Sequence, residues 1–305
     1  MYSRNPSFEM RGSIFTMHLN RLRRVSALLL GALLLISMNT PAFAADAAMR
    51  ERAVFLNELA ALPHYQAERA KRYLAYLGNK EYTPEQIIRI VNTDNDRPYY
   101  EDMAEADTSY GILTLVNKRN YLGRYEPESL APLGYYGSWG SMESEARDAF
   151  AALADGAAEN GYRIWGVSPY RSFERQSRIY NSYVYAHGRK AADSYSARPG
   201  SSEHQTGLAV DVAVRGYSYG TFEGTPECDW MMEHAHEYGF ILRYGEGMQY
   251  ITGYIYEPWH YRYVGVDAAT YIYEHDLTFE EYYYYYVIGD EPMEKAQPKA
   301  AALSS

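Results

Sequence analysis

The chain has 305 residues, 47% of them hydrophobic and 22% charged, values that are ordinary for a globular protein with its own core. The formal net charge of -10 disfavours nucleic acid or an anionic membrane surface as a partner, because both require a basic patch. The single cysteine, Cys228, excludes an intrachain disulfide and a cysteine metal cluster.

The N-terminal segment 1–44 has the pattern of a cleaved export signal. Basic residues within 21–24 precede a mainly apolar run at 25–38, and Ala-Phe-Ala at 42–44 matches a signal-peptidase site. A retained membrane anchor is the alternative, but a helix of this run rises only about 21 Å, against about 30 Å of hydrocarbon. We therefore expect an exported protein, in the cell wall or periplasm, with no stable membrane span. Met17 is an alternative start.

The first part of the mature chain is predicted to be helical. The spacing of apolar residues predicts helices over 49–62 and 65–77. A capping box that begins at Thr83 opens a third helix. Residues 93–111 are polar and acidic, as in a linker, so we expect 45–111 to be a helical N-terminal region followed by a linker.

From residue 112 onward, short strands alternate with helices, which predicts an α+β fold with a small antiparallel sheet flanked by helices. We place this domain at 112–289 and expect a disordered tail at 290–305. The predicted helices are 141–160, 172–187 (with Ser172 as N-cap) and 229–238, and the predicted strands are 163–169, 205–214, 240–244 and 256–264.

Two segments concentrate residue types that bind metals. The first is Ser-Glu-His-Gln-Thr-Gly-Leu-Ala-Val-Asp at 202–211. On a strand that continues to 214, Leu208 and the three valines that follow it face one way. Asp211 lies between Ala209 and Ala213 on the other face. A buried carboxylate without a partner is costly, and a bound metal would remove that cost. The second segment is Glu-Pro-Trp-His-Tyr-Arg-Tyr at 257–263.

Two histidines and one aspartate from these segments make a plausible tetrahedral zinc site with its fourth position open to water: His204, Asp211 and His260. Glu257 is the nearby candidate for a general base. On a regular strand Glu257 and His260 would face opposite ways, so a bend at Pro258 is required. A lone histidine is usually an ordinary core or surface residue, so neither His204 nor His260 would indicate a metal site if taken singly. We interpret His234 and His236 as structural or surface residues, because their spacing does not match a helical zinc motif.

The pattern Ser-x-His-x-x-Gly-x-Ala-x-Asp, followed by Glu-x-Trp-His, resembles the VanY-type D-alanyl-D-alanine carboxypeptidases. These belong to a zinc-peptidase superfamily that also contains lysostaphin-like enzymes and Hedgehog domains. The similarity covers about 112–267 and includes Leu-Val-Asn-Lys at 115–118 and Ser-Pro-Tyr-Arg-Ser at 168–172. Pro169 stands where the family more often has glycine, and it removes a backbone donor.

The resemblance implies one zinc ion per chain, bound by His204, Asp211 and His260. It also implies Glu257 as the catalytic base that activates zinc-bound water, and Arg171 as the residue that contacts the substrate and stabilises the oxyanion. Arginine suits that role because its planar, permanently charged fork pairs with carboxylate or oxyanion oxygens. Ser202 and Gln176 are the further substrate-binding residues that the resemblance implies.

The function implied is hydrolysis of the terminal D-alanine from peptidoglycan stem peptides by a zinc metallopeptidase, which we expect to be a monomer. An L,D-carboxypeptidase, a dipeptidase or an endopeptidase acting on the same wall peptides remains open, because the shape of the pocket sets the cleavage point. A non-catalytic zinc-containing module that binds the cell wall is the alternative of a different class. The presence of Glu257 and Arg171 disfavours it, because binding alone needs no base. A membrane-tethered structural protein with incidental histidines is the third alternative.

Overall fold

The structure is a computed structural model that describes residues 41–289, with side chains from residue 44. Most of the predicted signal segment (1–40) and the predicted tail (290–305) lie outside the described residues. The chain divides into two compact units, and the boundary between them falls between Glu85 and Gln86.

The N-terminal unit is helical but less regular than its sequence pattern suggests. Helix α1 spans Pro41–Ala60, and the short helix α2 (Ala70–Tyr73) lies between the 3-10 turns Ala67–Arg69 and Leu74–Tyr76. The continuous helix predicted over 65–77 was therefore wrong. One local cause is Tyr73, whose hydroxyl accepts a hydrogen bond from the backbone of Gln66 and whose ring stacks on Tyr65.

The remaining helices and strands form the second unit, apart from the first two residues of α3, which precede its boundary. The helices are α3 (Pro84–Asn92), α4 (Ser144–Glu159), α5 (Phe173–His187), α6 (Arg189–Tyr195), α7 (Pro226–His234), α8 (Gln249–Thr252), α9 (Val266–Glu274) and α10 (Phe279–Tyr282). The strands are β1 (Ala104–Glu105), β2 (Asn120–Tyr121), β3 (Leu130–Pro132), β4 (Ser141–Glu143), β5 (Ile164–Val167), β6 (Ala209–Val214), β7 (Phe240–Leu242) and β8 (His260–Tyr263). Among the helices of residues 41–289, each is too short or too polar to cross a membrane.

A four-stranded antiparallel sheet, in the order β5-β6-β8-β7, forms the centre of this unit. Val210 and Val212 on β6 are fully buried and pack with Phe150 of α4 and Met231 of α7. The alternation of side chains along β6 turns Asp211 to the opposite face. The α+β fold with a small antiparallel sheet, predicted from the sequence, is confirmed.

The boundaries of several elements differ from the predictions near the motifs. Strand β6 begins at Ala209 rather than 205, because Glu203–Thr206 form a 3-10 turn. Strand β8 begins at His260 rather than 256. The predicted helix 141–160 is split between β4 and α4, since Ser141–Glu143 pair with β3. The predicted helix 229–238 is α7 followed by a 3-10 turn. Each predicted strand is thus shorter than expected. His204 precedes β6, Asp211 lies within β6, and His260 begins β8.

Two further features of this unit are a helix cap and a tyrosine-rich segment. The predicted cap of α5 is confirmed, because the Ser172 hydroxyl accepts a hydrogen bond from the backbone of Arg175. The tyrosine run at 282–286 is mostly structural. Tyr282, Tyr283 and Tyr285 are buried, and the first two pack in a cluster around Phe279.

Candidate active site

Strand pairing brings Asp211 and His260 together. In the antiparallel pair β6–β8 these two residues lie directly opposite each other. Opposed residues project to the same side of a sheet with their Cβ atoms about 4.5–5.5 Å apart. As a result, His260 Nδ1 lies 3.1 Å from an Asp211 carboxylate oxygen.

His204 reaches the same point from the 3-10 turn that precedes β6. Gly207 ends this turn in the left-handed conformation, with φ +74°. A Cβ atom at Gly207 would lie 2.8 Å from the backbone nitrogen of Glu143, so the motif needs glycine both for its backbone angle and for space. The His204 Nδ1 donates a hydrogen bond to the carbonyl of Pro169 (3.1 Å). The proline that departs from the family pattern therefore supplies the acceptor that orients this ring.

Three buried side chains offer ligand atoms at one point: His204, Asp211 and His260. One such atom from each residue lies within 4.8 Å of the others, so the three could hold a single metal ion. Because Nδ1 of His204 carries its proton, Nε2 presents a lone pair to the cluster. The donor set of two imidazoles and a carboxylate suits a borderline-soft cation such as zinc.

The electrostatics of the cluster also fit a cation. Burial, assisted by the nearby Arg171 charge, lowers the pKa of His204 to about 4, so the ring is neutral and can offer a lone pair to a metal. Burial alone would raise the pKa of Asp211, but His204, His260 and Arg171 outweigh it and hold the carboxyl ionised. Burial lowers the pKa of His260, yet its contacts with Asp211 and Glu203 raise the value to about 9. The carboxylates around His260 thus favour a positive charge at this position, which is what a metal would supply.

Glu257 lies in the same cleft because the chain turns at Pro258. The backbone of His260 donates to the Glu257 carbonyl (3.0 Å), so Pro258 and Trp259 form a turn before β8 begins. This is the bend that the sequence required. The Glu257 side chain is buried, and burial raises its pKa to about 7. A carboxyl with that pKa can both accept and return a proton near neutral pH.

Arg171 directly contacts two of the candidate metal ligands. Its backbone nitrogen donates to the His204 carbonyl (3.0 Å), and its Nη2 donates to His204 Nε2 (2.6 Å) and to Asp211 (3.1 Å). Gln176 accepts a hydrogen bond from Arg171 Nη1 (3.0 Å) and donates to the carbonyl of Ala197 (2.8 Å). Gln176 is itself buried and lines the cleft, so its amide orients the guanidinium.

The cleft around these residues has a volume of about 240 Å³ and also includes Ser202. Tyr244 stacks on His260, with ring centroids 4.9 Å apart. The remaining aromatic walls, which the sequence did not reveal, are Tyr183, Tyr195, Tyr219, Tyr254 and Trp259. His234 and His236 lie outside the cleft, where their rings contact Trp230 and Tyr273 respectively. The cleft is therefore small and lined largely by aromatic rings, together with the ionisable groups described above.

Sequence reasoning also missed a buried ionic network behind the cluster. Arg243 donates to Glu203 (2.8 Å) and forms two hydrogen bonds with Glu280 (2.8 and 2.6 Å). Arg262 donates to Glu203 (3.2 Å). These four side chains are fully buried, or nearly so. The sequence did contain a signal, because Arg243 directly follows the apolar strand 240–242 and Arg262 lies inside the strand 260–263. An arginine at such a position is rarely buried unless it is paired.

The fold and site together define a cleft in which a His-Asp-His group that could hold a metal ion lies with a buried carboxyl group and an arginine. Comparisons with known proteins extend this. The model of the VanY family, described as D-alanyl-D-alanine carboxypeptidase, matches residues 140–266. The putative carboxypeptidase YodJ of Bacillus subtilis (strain 168) is 38% identical over 213 residues, covering 63% of this chain and 78% of YodJ.

Two solved structures are similar as well. The LdcB LD-carboxypeptidase has a TM-score of 0.56 and 39% identity, covering 60% of this chain and 90% of LdcB. A variant of the vancomycin-resistance D,D-pentapeptidase VanY, solved in complex with Zn(II), has a TM-score of 0.50 and 35% identity, covering 56% of this chain and 97% of that one.

The chain belongs to the VanY family of D-alanyl-D-alanine carboxypeptidases. It is a peptidase, as the sequence predicted, and carboxypeptidase action on peptidoglycan peptides is the activity of its class. The zinc in the VanY neighbour and the His-Asp-His group of this chain both support zinc as the metal.

Proposed function

We propose that the protein removes the C-terminal D-alanine from peptidoglycan stem peptides, with one zinc ion held by His204, Asp211 and His260. The observation that carries the proposal is that these three ligand groups, Glu257 and Arg171 all line one small cleft of a VanY-family chain. We further propose that the protein is exported, as its N-terminal pattern indicates.

Each residue has a defined part in this reaction. When bound, zinc acidifies water and polarises a carbonyl, the two effects that peptide hydrolysis needs. Glu257, with a pKa of about 7, accepts the proton of the attacking water and returns it to the leaving amine of D-alanine. Arg171, oriented by Gln176, donates to the oxygen on which negative charge develops. Ser202 also lines the cleft and is proposed to contact the substrate.

A second candidate is an L,D-carboxypeptidase that shortens tetrapeptide stems. It is favoured by the similarity to LdcB, which is described as an LD-carboxypeptidase and has 39% identity to this chain. Both activities use the same groups and differ in the configuration of the residue before the scissile bond. The aromatic walls of the cleft would make that discrimination.

The test is a matched pair of stem peptides, a pentapeptide ending in D-Ala-D-Ala and the tetrapeptide made from it. The zinc-loaded protein should release one D-alanine from the pentapeptide, detected by mass spectrometry. Preferential cleavage of the tetrapeptide would establish the second candidate instead.

The base is tested separately. Glu257→Gln should retain zinc while kcat falls by roughly 10²- to 10⁴-fold. The exposed Glu246 provides a matched control, and Glu246→Gln should keep full activity. Near-normal turnover by Glu257→Gln would contradict the mechanism.

A further inference from the structure

An exposed aromatic surface lies next to the cleft and plays no part in the reaction described. Trp139 is fully exposed and Tyr135 is 71% exposed. The guanidinium of Arg215 lies between the rings of Tyr135 (4.8 Å) and Trp165 (4.9 Å) and also donates to the Tyr135 hydroxyl (3.1 Å). We call these four residues the aromatic ledge.

The strand register places the ledge on the same face of the sheet as the metal-binding residues. Val167 is opposite Asp211, and Trp165 is opposite Ala213. Opposed residues share a face, and two residues along a strand span about 6.6–6.8 Å. Trp165 therefore lies on the neighbouring strand, two residues along from the position opposite Asp211 and on the same face of the sheet.

The loop that carries Tyr135 and Trp139 is tied to the same structure. Ser138 donates to the Gly166 carbonyl on β5 (2.8 Å). A Cβ atom at Gly140 would lie 2.5 Å from Pro169, whose carbonyl accepts the hydrogen bond from His204. The loop is thus packed against the backbone segment that orients His204.

We propose that the aromatic ledge binds the sugar chain to which the stem peptide is attached, an inference that rests on the proposed function. Pyranose rings present apolar C–H faces and ring hydroxyl groups. Exposed tryptophan and tyrosine rings stack on such faces, while Arg215 and the tyrosine hydroxyl supply polar contacts. A polymer whose peptide end enters the cleft must run along an adjoining surface, and the ledge is such a surface.

The experiment compares a free stem peptide with the same peptide linked to its glycan. Trp139→Ala combined with Tyr135→Ala should leave kcat/KM for the free peptide unchanged. For the glycan-linked substrate KM should rise about tenfold, equivalent to about 1.4 kcal/mol, with kcat unchanged. Tyr185→Ala, which removes an equally exposed ring from α5, is the control and should change neither value.

Binding of peptide-free glycan chains separates the two proposals. Wild-type protein should bind these chains, and the ledge variant should lose that binding even if no peptide is cleaved. Equal binding by both proteins, or an unchanged KM for the linked substrate, would overturn the ledge proposal. Failure to cleave the free peptide would instead overturn the proposed function.

A second, independent observation concerns His260 and Glu203. Within the described residues, His260 Nε2 and Glu203 Oε2 are buried atoms without a hydrogen-bond partner, and they face each other at 3.6 Å. The other oxygen of Glu203 is engaged by Arg243 and Arg262. The two arginines fix the carboxylate so that its free oxygen is directed at the imidazole.

We infer that Glu203 is a positioning residue, which keeps the proton of His260 on Nε2 and so presents Nδ1 as the metal ligand. A ligating histidine commonly donates its other ring N–H to a carboxylate, and loss of such a partner typically weakens metal binding about 10- to 100-fold. Glu203 occupies the position between the serine and histidine that the motif, as written above, leaves unspecified, so the motif itself does not assign it a role.

Zinc affinity, measured by competition with a chelator, tests this inference apart from activity. Glu203→Gln should weaken zinc binding about 10- to 100-fold. Glu280→Gln is a matched control, because Glu280 binds the same Arg243 in the same buried network but makes no contact with His260. Its zinc affinity should stay within about threefold of wild type, since it has no part in orienting a ligand. Equal losses in both variants would show that the network acts only structurally and would overturn the inference.

The wild-type protein gives a direct second readout. In ¹⁵N NMR spectra of the zinc-loaded protein, His260 should carry its proton on Nε2. A proton on Nδ1 would overturn the assignment whether or not the variants fold. If wild-type protein binds no zinc, this inference and the proposed function both fall.

Discussion

Removal of Arg243 should be among the most damaging single substitutions outside the cleft. Its guanidinium is fully buried between the Glu203 and Glu280 carboxylates. Together with Arg262 these groups form a cluster of two positive and two negative charges. Arg243→Met removes one positive charge and leaves the cluster with a net negative charge away from water.

The expected loss follows from burial. After the substitution Glu203 keeps Arg262, but Glu280 keeps only the amide of Asn117 at 3.3 Å. Breaking a buried ion pair by removing one partner costs about 3–5 kcal/mol, because the remaining charge is desolvated without compensation. For a protein of this size, 1 kcal/mol corresponds to about 2–4 °C in Tm, so Tm should fall by roughly 6–20 °C.

A double-mutant cycle isolates the charge effect. Arg243→Met with Glu280→Met restores a neutral cluster, so the double variant should lose less free energy of unfolding than the two single variants summed, by about 2 kcal/mol. The exposed pair between Arg124 and Glu174 is the control, and Arg124→Met should cost less than about 1 kcal/mol.

Urea unfolding followed by circular dichroism, with zinc in excess, gives these free energies. An Arg243→Met protein whose free energy of unfolding lies within about 1 kcal/mol of wild type would refute this expectation. Strict additivity in the cycle would refute it as well, because uncompensated charge could not then be the cause.

Three further predictions concern pH, metal removal and the motif glycine. Burial lowers the pKa of Lys118 to about 8, whereas the unfolded chain keeps about 10.4. The unfolded state therefore binds more protons between these values, and wild-type stability relative to Lys118→Met should rise from about pH 8 to about pH 10 in urea unfolding; a flat difference would contradict the shift. Chelation should lower the Tm of wild-type protein, since a ligand bound only by the folded state contributes about 2.7 kcal/mol at a hundredfold excess over Kd. Asp211→Ala should abolish this zinc-dependent change in Tm, and its persistence would place the metal elsewhere. Gly207→Ala should destabilise by more than the roughly 1–2 kcal/mol cost of a left-handed residue, because its Cβ would meet the backbone of Glu143 at 2.8 Å. Gly216→Ala, with φ +95° and no atom within 4 Å, should show only the backbone cost in the same assay.

Local pattern in the sequence was sufficient for several conclusions. The alternation along β6 predicted which face of Asp211's strand is buried, and the structure confirms that Val210 and Val212 lie in the core. The spacing around Pro258 predicted a bend between Glu257 and His260, and a turn is present there. The paired motifs predicted the family, which the comparisons confirm. These inferences succeed because they depend on neighbours within a few residues along the chain.

Other predictions failed where a distant contact decides the local conformation. The strand predicted to begin at 205 begins instead at Ala209, because Gly207 turns left-handed against the backbone of Glu143. The helix predicted from 141 begins only at Ser144, because the preceding residues pair with β3. In both cases a backbone partner from another part of the chain outweighs the intrinsic preference of the segment.

The sequence by itself determined which chemistry is present: two imidazoles, a carboxylate ligand, a candidate base and an arginine in recognisable order. Only the tertiary structure decided how they meet. The pairing of Asp211 with His260 depends on the register between two strands 49 residues apart. The Arg243 network and the aromatic ledge likewise join residues from separate elements. Side-chain periodicity specifies which face a residue occupies, but the energy of packing the whole core selects which strands become neighbours.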